Sequence, residues 1–259
     1  MILDDILAET KRTVASRQAH VPITELERQT RAAAPARSLA QGIRAVGGMA
    51  CIAEFKRRSP SKGWISREAD VVTVARAYEA AGAAGMSVLT DTPFFGGSLD
   101  DLRGARAAVR MPILRKDFIV DPYQVVEARA AGADALLLIV AALRGDLLPA
   151  LLAETERCGM EALVEAHDAD EVGRAVASGA KLIGVNHRDL RTFEMNMGLA
   201  AAMRPLIPAD RVVVAESGIR TADDVRGLRD AGVDAILVGE TLMQAPDAVA
   251  VLRALLGQA

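Results

Sequence analysis

The chain has 259 residues, of which 51% are hydrophobic and 25% charged, with a formal net charge of −3. That balance excludes a disordered segment and supplies no basic surface for nucleic acid or for an anionic membrane. Aromatic residues make up only 3%, which also excludes a stacking platform for single-stranded nucleic acid.

The first residues, Met1 to Thr10, are acidic and amphipathic, without the basic start and apolar run of a secretory leader. The longest apolar run, Ala135 to Leu143, is too short to span a bilayer. Both features point to a cytoplasmic protein. Residues 1–48 read as one or two amphipathic helices broken near Val21-Pro22. This N-terminal helical extension is expected either to lie across one end of the main fold or to serve only as packing.

From Met49 onward, short apolar runs alternate with helical stretches. The runs are 49–56, 86–89, 113–116, 135–140, 162–165, 182–186, 212–216 and 235–238. Nearly continuous apolar runs suit parallel strands buried on both faces. Between them, Val71 to Ala81 is rich in Ala, Val and Glu. Asp121-Pro122 offers an N-cap followed by proline at the first helical position, and Thr221-Ala-Asp-Asp224 has the form of a capping signal. Gly132, Gly179 and Gly232, with Gly82 as a looser copy, each follow a helical stretch and precede a strand, where a left-handed residue is needed. Eight strands with helical crossovers favour a (β/α)₈ barrel over an open sheet, with residues 1–259 as one domain.

Side chains alternate along a strand, so Ile52, Glu54 and Lys56 share one face, and Leu114 shares a face with Lys116. Glu165, Asn186 and Glu216 end the fifth, sixth and seventh strands in the same way. Polar termini on five strands converging on the C-terminal mouth of a barrel mark an active site. Carboxylates there either hold a lysine charged or, with their neighbours, lower its pKa for acid catalysis. No Ser-His-Asp set is evident; His20, His167 and His187 are scattered, and only His187 adjoins a strand end, where it reads as a loop residue. The interspersed lysines oppose metal binding by the carboxylates. Cys51 and Cys158 read as inert thiols in a reducing compartment.

A phosphate site is expected where Glu216-Ser-Gly-Ile219 and Val238-Gly-Glu-Thr241 follow the last two strands, because glycine lets backbone N–H groups approach an anion. Ser59-Pro-Ser-Lys-Gly63, after the first strand, adds hydroxyls and a cation.

These residues resemble a known family. Ala53-Glu-Phe-Lys-Arg-Arg-Ser-Pro-Ser-Lys-Gly63 is similar to the first-strand signature of indole-3-glycerol-phosphate synthases. Phe94-Phe-Gly-Gly-Ser98, Leu114-Arg-Lys-Asp-Phe-Ile119, Leu163-Val-Glu165, Gly184-Val-Asn-His-Arg-Asp-Leu190, Ala215-Glu-Ser-Gly-Ile219 and Leu237-Val-Gly-Glu240 follow in the family's order and cover nearly the whole chain.

The resemblance implies a carboxy-lyase of tryptophan biosynthesis that needs no cofactor or metal. It would close the indole ring of 1-(2-carboxyphenylamino)-1-deoxyribulose 5-phosphate and expel carbon dioxide, then water. Lys116 would be the general acid for ring closure. Glu54 and Glu165 would supply base or electrostatic stabilisation. Lys56 would contact the substrate carboxylate or phosphate, with the acid role in dehydration also open to it. Asn186 and Arg188 would hold the substrate, and Glu216 would orient the lysines and substrate hydroxyls. Ser59, Ser217, Gly218, Gly239 and the backbone at Glu240 would bind phosphate; Phe95 and Phe118 would line the anthranilate pocket. The implied partner is a small sugar phosphate, with neither nucleic acid nor membrane. The chain is expected to act as a monomer, with weak self-association left open.

Overall fold

The computed structural model describes residues 2–189, 192 and 194–258. Met1, Ala259 and Leu190, which ends one of the motifs quoted above, lie outside them. Eight parallel strands close into a barrel. They are β1 (Ala50–Phe55), β2 (Gly85–Leu89), β3 (Ile113–Lys116), β4 (Ala135–Ile139), β5 (Glu161–Ala166), β6 (Leu182–Asn186), β7 (Val212–Glu216) and β8 (Ala235–Val238). Closure comes from pairing β1 with β8 at Cys51↔Ile236 and with β2 at Ala53↔Met86.

The strand alternation sorts side chains into two apolar layers. Ile52, Leu114, Leu137, Leu163, Val214 and Leu237 fill the barrel interior. Cys51, Phe55, Val88, Leu138, Val164 and Ile236 face the surrounding helices. Each fully buried Leu, Val or Ile side chain contributes about 2 kcal/mol relative to exposure, so the register is strongly specified.

Helix boundaries follow the local signals. The crossover helices are α4 (Val71–Ala80), α5 (Leu99–Ala108), α6 (Pro122–Ala130), α7 (Leu147–Arg157), α8 (Ala169–Ala177), α9 (Leu199–Met203), α10 (Ala222–Asp230), α11 (Glu240–Met243) and α12 (Ala248–Leu255), preceded by three N-terminal helices described below. Asp121 caps α6 with Pro122 in its first turn, and Thr221 and Asp224 form a reciprocal capping box on α10. Gly82, Gly132, Gly179 and Gly232 all have φ between +83° and +96°, as the helix-end pattern requires. A small hairpin, Arg58–Ser59 with Gly63–Trp64, occupies the loop after β1.

The N-terminal extension departs from expectation in helix number and in reach. It comprises three helices, α1 (Ile2–His20), α2 (Ile23–Ala32) and α3 (Leu39–Ala45). They touch both ends of the barrel. At the N-terminal end of the strands, Glu161 of β5 accepts from the Ser38 hydroxyl and from the Ala40 N–H at 2.6 and 2.9 Å. A Cβ on Gly42 would lie 2.8 Å from the Ala84 carbonyl, so only glycine lets α3 sit this close. α1 then runs along α6, where Arg17 pairs with Glu127, and its first turn places Leu3 and Ile6 at the opposite, C-terminal mouth. The short α3 has a weak periodic signal of its own; its long-range ties fix it in place.

Candidate active site

The C-terminal mouth opens into a cavity of about 730 Å³. Every site residue expected from the sequence lines it: Glu54, Lys56, Ser59, Phe95, Lys116, Phe118, Glu165, Asn186, Arg188, Glu216, Ser217, Gly218, Gly239 and Glu240. Leu3 and Ile6 of α1 line it as well. Strand analysis could not place them there, because nothing local in α1 records which end of the barrel it reaches.

The ionised groups form two linked clusters. Lys56 Nζ lies 2.8 Å from Glu54 Oε1. Lys116 Nζ donates to Glu216 Oε2 at 2.7 Å and to Glu165 Oε2 at 3.2 Å. Burial alone would push the Lys116 ammonium down, but Glu216, Glu165 and Glu54 outweigh it and hold its pKa above the ordinary lysine range. Of the two options for a mouth lysine, Lys116 is therefore the one kept charged. Burial also opposes charge on Glu165, yet Lys116 and His167 beside it, with a hydrogen bond from Asn186, keep it well below the usual carboxylate range. Glu216 goes the other way: burial and the neighbouring Glu165 and Glu54 push it up to about 7 despite Lys116. Adjacent carboxyls thus differ in protonation at neutral pH, an arrangement suited to proton transfer.

Two glycines, Gly184 on β6 and Gly239 just past β8, make room for these carboxylates. A Cβ on Gly184 would stand 2.3 Å from Glu216 Oε1, and one on Gly239 would stand 2.3 Å from Glu54 Oε1. Asn186 accepts from the Arg188 N–H at 3.0 Å through its carbonyl oxygen, which turns its amide nitrogen toward Glu165.

Outside the barrel wall, a buried network supports β3. Arg115, fully buried, pairs with Asp117 and Glu127 at 3.0 and 2.9 Å and donates to Thr90. Asp117 in turn accepts from the Phe118 N–H at 2.9 Å, and Asp91 accepts from the N–H groups of Phe94 and Phe95. The Phe95 and Phe118 rings stand 6.1 Å apart at the cavity wall.

The opposite side of the mouth is built from backbone. Ser217 has φ +70°, the only positive value at a non-glycine among the described residues, and Gly218 follows with φ +78°. Two successive residues with positive φ make a tight turn that brings their backbone to the cavity wall. Thr241 Oγ1 donates to the Ile219 carbonyl at 2.8 Å and joins this loop to the one after β8. Lys62 Nζ, from the hairpin loop, lies 3.7 Å from Glu240 Oε1.

One histidine matches the expected reading and one departs from it. His187 sits in the loop after β6, as expected, and is buried there, with Nδ1 3.0 Å from the Ser217 carbonyl oxygen; its backbone N–H donates to the Glu216 carbonyl. It braces the loop after β7. His167 adjoins a strand end after all: β5 runs one residue past the predicted run, to Ala166, and His167 Nε2 lies 3.2 Å from Glu165 Oε1.

With this geometry in view, the comparisons decide the family. The family model for indole-3-glycerol phosphate synthase matches residues 3–255. The chain belongs to the indole-3-glycerol phosphate synthase family. It is 52% identical over 256 residues to the indole-3-glycerol phosphate synthase 2 of Streptomyces coelicolor, covering 99% of each chain. To the Rhodopirellula baltica indole-3-glycerol phosphate synthase it is 47% identical over 255 residues, 98% of each. Among solved structures, a thiamine phosphate pyrophosphorylase from Pyrococcus furiosus matches with a TM-score of 0.61 at 17% identity, over 81% of this chain and 94% of that one; this likeness speaks to the fold alone. The family's activity is the carboxy-lyase reaction of tryptophan biosynthesis that produces indole-3-glycerol phosphate. Among the described residues, no helix is long and apolar enough to cross a membrane.

Proposed function

We propose that Lys116 is the general acid that closes the indole ring in this synthase. The supporting observation is its ammonium, held charged between Glu165 and Glu216 on the wall of the mouth cavity. As the aromatic carbon bearing the carboxylate attacks the substrate ketone, the carbonyl oxygen takes a proton from Lys116 Nζ and becomes a hydroxyl. Carbon dioxide then leaves with its bonding pair returned to the ring. That hydroxyl then takes a proton and leaves as water, driven by the ring nitrogen, and the adjacent ring methylene gives up a proton to a carboxylate of the mouth, which completes the indole. Glu165 and Glu54 face the positive charge that develops on the nitrogen. Glu216, poised near neutrality, orients Lys116 and is placed to return its proton.

Lys56 lies against Glu54, within reach of the substrate carboxylate or of the departing hydroxyl. Asn186 and Arg188 hold the substrate, and Phe95 and Phe118 receive the anthranilate ring. Ser59, Ser217, Gly218, Gly239 and the Glu240 backbone bind the phosphate, a reading supported by the tight turn at Ser217 and Gly218 that leaves backbone facing the cavity. The reading of residues 1–259 as one domain rests on the interior that Leu3, Ile6, Leu39 and Ile43 share with the strands. One chain supplies every residue assigned here, in keeping with action as a monomer. The free thiols of Cys51 and Cys158 suit a reducing cytoplasm.

The test is an indole-fluorescence assay with the synthetic substrate. Lys116→Ala is expected to lower turnover by at least about a hundredfold, the scale of a lost general acid. A near-normal rate in folded variant protein removes Lys116 from the role.

A further inference from the structure

One imidazole stands between two carboxylates on the catalytic side of the mouth. His167 follows β5 by one residue, in phase with Glu165. Its Nε2 lies 3.2 Å from Glu165 Oε1, and its Nδ1 lies 3.0 Å from Glu171 Oε2 in the first turn of α8. The same Glu171 oxygen accepts the His167 backbone N–H at 2.8 Å, which fixes the ring's approach. The His167 side chain is only 6% exposed, so water cannot substitute for either carboxylate.

A neutral imidazole carries one N–H and turns a lone pair toward its other partner. Between two carboxylates, only the doubly protonated ring faces both with hydrogen. We propose that His167 is a positioning residue: an imidazolium clamped by Glu171 that fixes Glu165 with one oxygen toward Lys116 and keeps it ionised through turnover. The proposal rests on the part assigned above to Glu165. Burial would lower the His167 pKa, but Glu165 and Glu171 overcome it and raise it to about 10.

The groups facing Glu165 make the need plain. Lys116 approaches from β3, Asn186 from β6, Glu216 from β7 and Glu54 from β1, with His167 and Glu171 behind it. When Lys116 gives its proton to the ketone oxygen, it becomes a neutral amine. Glu165 then loses one of the two cations beside it while two carboxyl groups remain close. The imidazolium is the positive charge that stays, so Glu165 still faces the developing substrate cation as an anion.

Nitrogen NMR of His167 in the intact enzyme reads the ring directly: both nitrogens are expected to carry hydrogen at pH 8. A ring neutral at pH 8 overturns the proposal. In kinetics, His167→Gln is expected to lower kcat about tenfold at pH 7 through loss of alignment, with KM within about twofold. The acidic limb of its kcat/KM profile moves up by roughly one to three pH units, the usual effect of losing a neighbouring opposite charge. Loss of stability with an unmoved limb marks a merely structural residue and sinks the idea. Should His167→Gln fail to fold, Glu171→Gln carries the same test with a smaller shift in the same direction. Glu165→Gln separates the premises. If it is inactive while His167→Gln is normal, the clamp alone falls; if it turns over normally, the role of Glu165 falls and the clamp with it.

Discussion

On one side of the mouth, Lys56, Lys116, Glu54 and Glu165 meet through side chains paired at 2.8 to 3.2 Å. On the other, Ser217 and Gly218 offer a left-handed backbone and little side-chain chemistry. The first side depends on charge held in a buried setting, where each group sets the protonation of its neighbours. The second depends on dihedral angles, to which a side chain adds little. Substitutions should therefore act differently on the two sides. Charge removal should strike turnover on the first, while the second should tolerate side-chain loss and respond in substrate affinity.

The largest expected effect is the hundredfold or greater loss for Lys116→Ala given above. Next comes Gly239→Ala, which joins the two sides. Its new Cβ would sit 2.3 Å from Glu54 Oε1, so a change in the loop after β8 must displace the partner of Lys56. We expect kcat to fall by about tenfold or more, more than KM rises, because misplacing a reacting group by an ångström carries such a cost. An effect confined to KM in steady-state kinetics would show the two sides to be independent there.

Ser59→Ala is expected to raise KM up to about tenfold with kcat little changed, as for loss of one hydrogen bond to a charged group. A loss of kcat alone would take Ser59 out of the phosphate site.

Stability should follow pH through His167. Its folded-state pKa is raised from 6.5 to about 10, so its contribution is fully present below pH 6.5 and fades as pH rises toward 10. Urea midpoints at pH 6 and pH 9.5 should therefore differ more in the parent than in His167→Gln; equal differences would place the imidazole outside the ion cluster.

The smallest effect belongs to Ser217→Gly. Glycine adopts φ +70° without strain, so KM should stay within about twofold and stability change by less than about 1 kcal/mol. A large rise in KM would mean that the hydroxyl, rather than the backbone, binds.

Much of this was legible because its signals are local. The eight apolar runs match the strands to within one residue at their ends, and the caps at Asp121 and Thr221 and the glycines after the helices sit where their chemistry requires. Polar residues ending apolar strands marked the mouth, since alternation carries Glu54 and Lys56 onto the interior face.

Other features escaped for a physical reason in each case. His167 is hidden because the apolar run ends at the polar Glu165, whereas the strand continues to Ala166 and brings the next in-phase residue to the same carboxylate. His187 is the loop residue expected, but its burial was not legible because it depends on the Ser217 carbonyl of a distant loop. α3 went unseen because its anchors, Glu161 and the close approach at Gly42, belong to distant parts of the chain.

By itself, the sequence determined the alternation of strand and helix, the face on which each polar terminus falls and, through its motifs, the family. These follow from the period of each element and from residue types at fixed spacing, which need no partner. Tertiary structure alone decided which carboxylates share Lys116 and which end of the barrel α1 reaches. Those outcomes arise from distances of 2.7 to 3.2 Å between residues far apart in the chain, where burial sets charge.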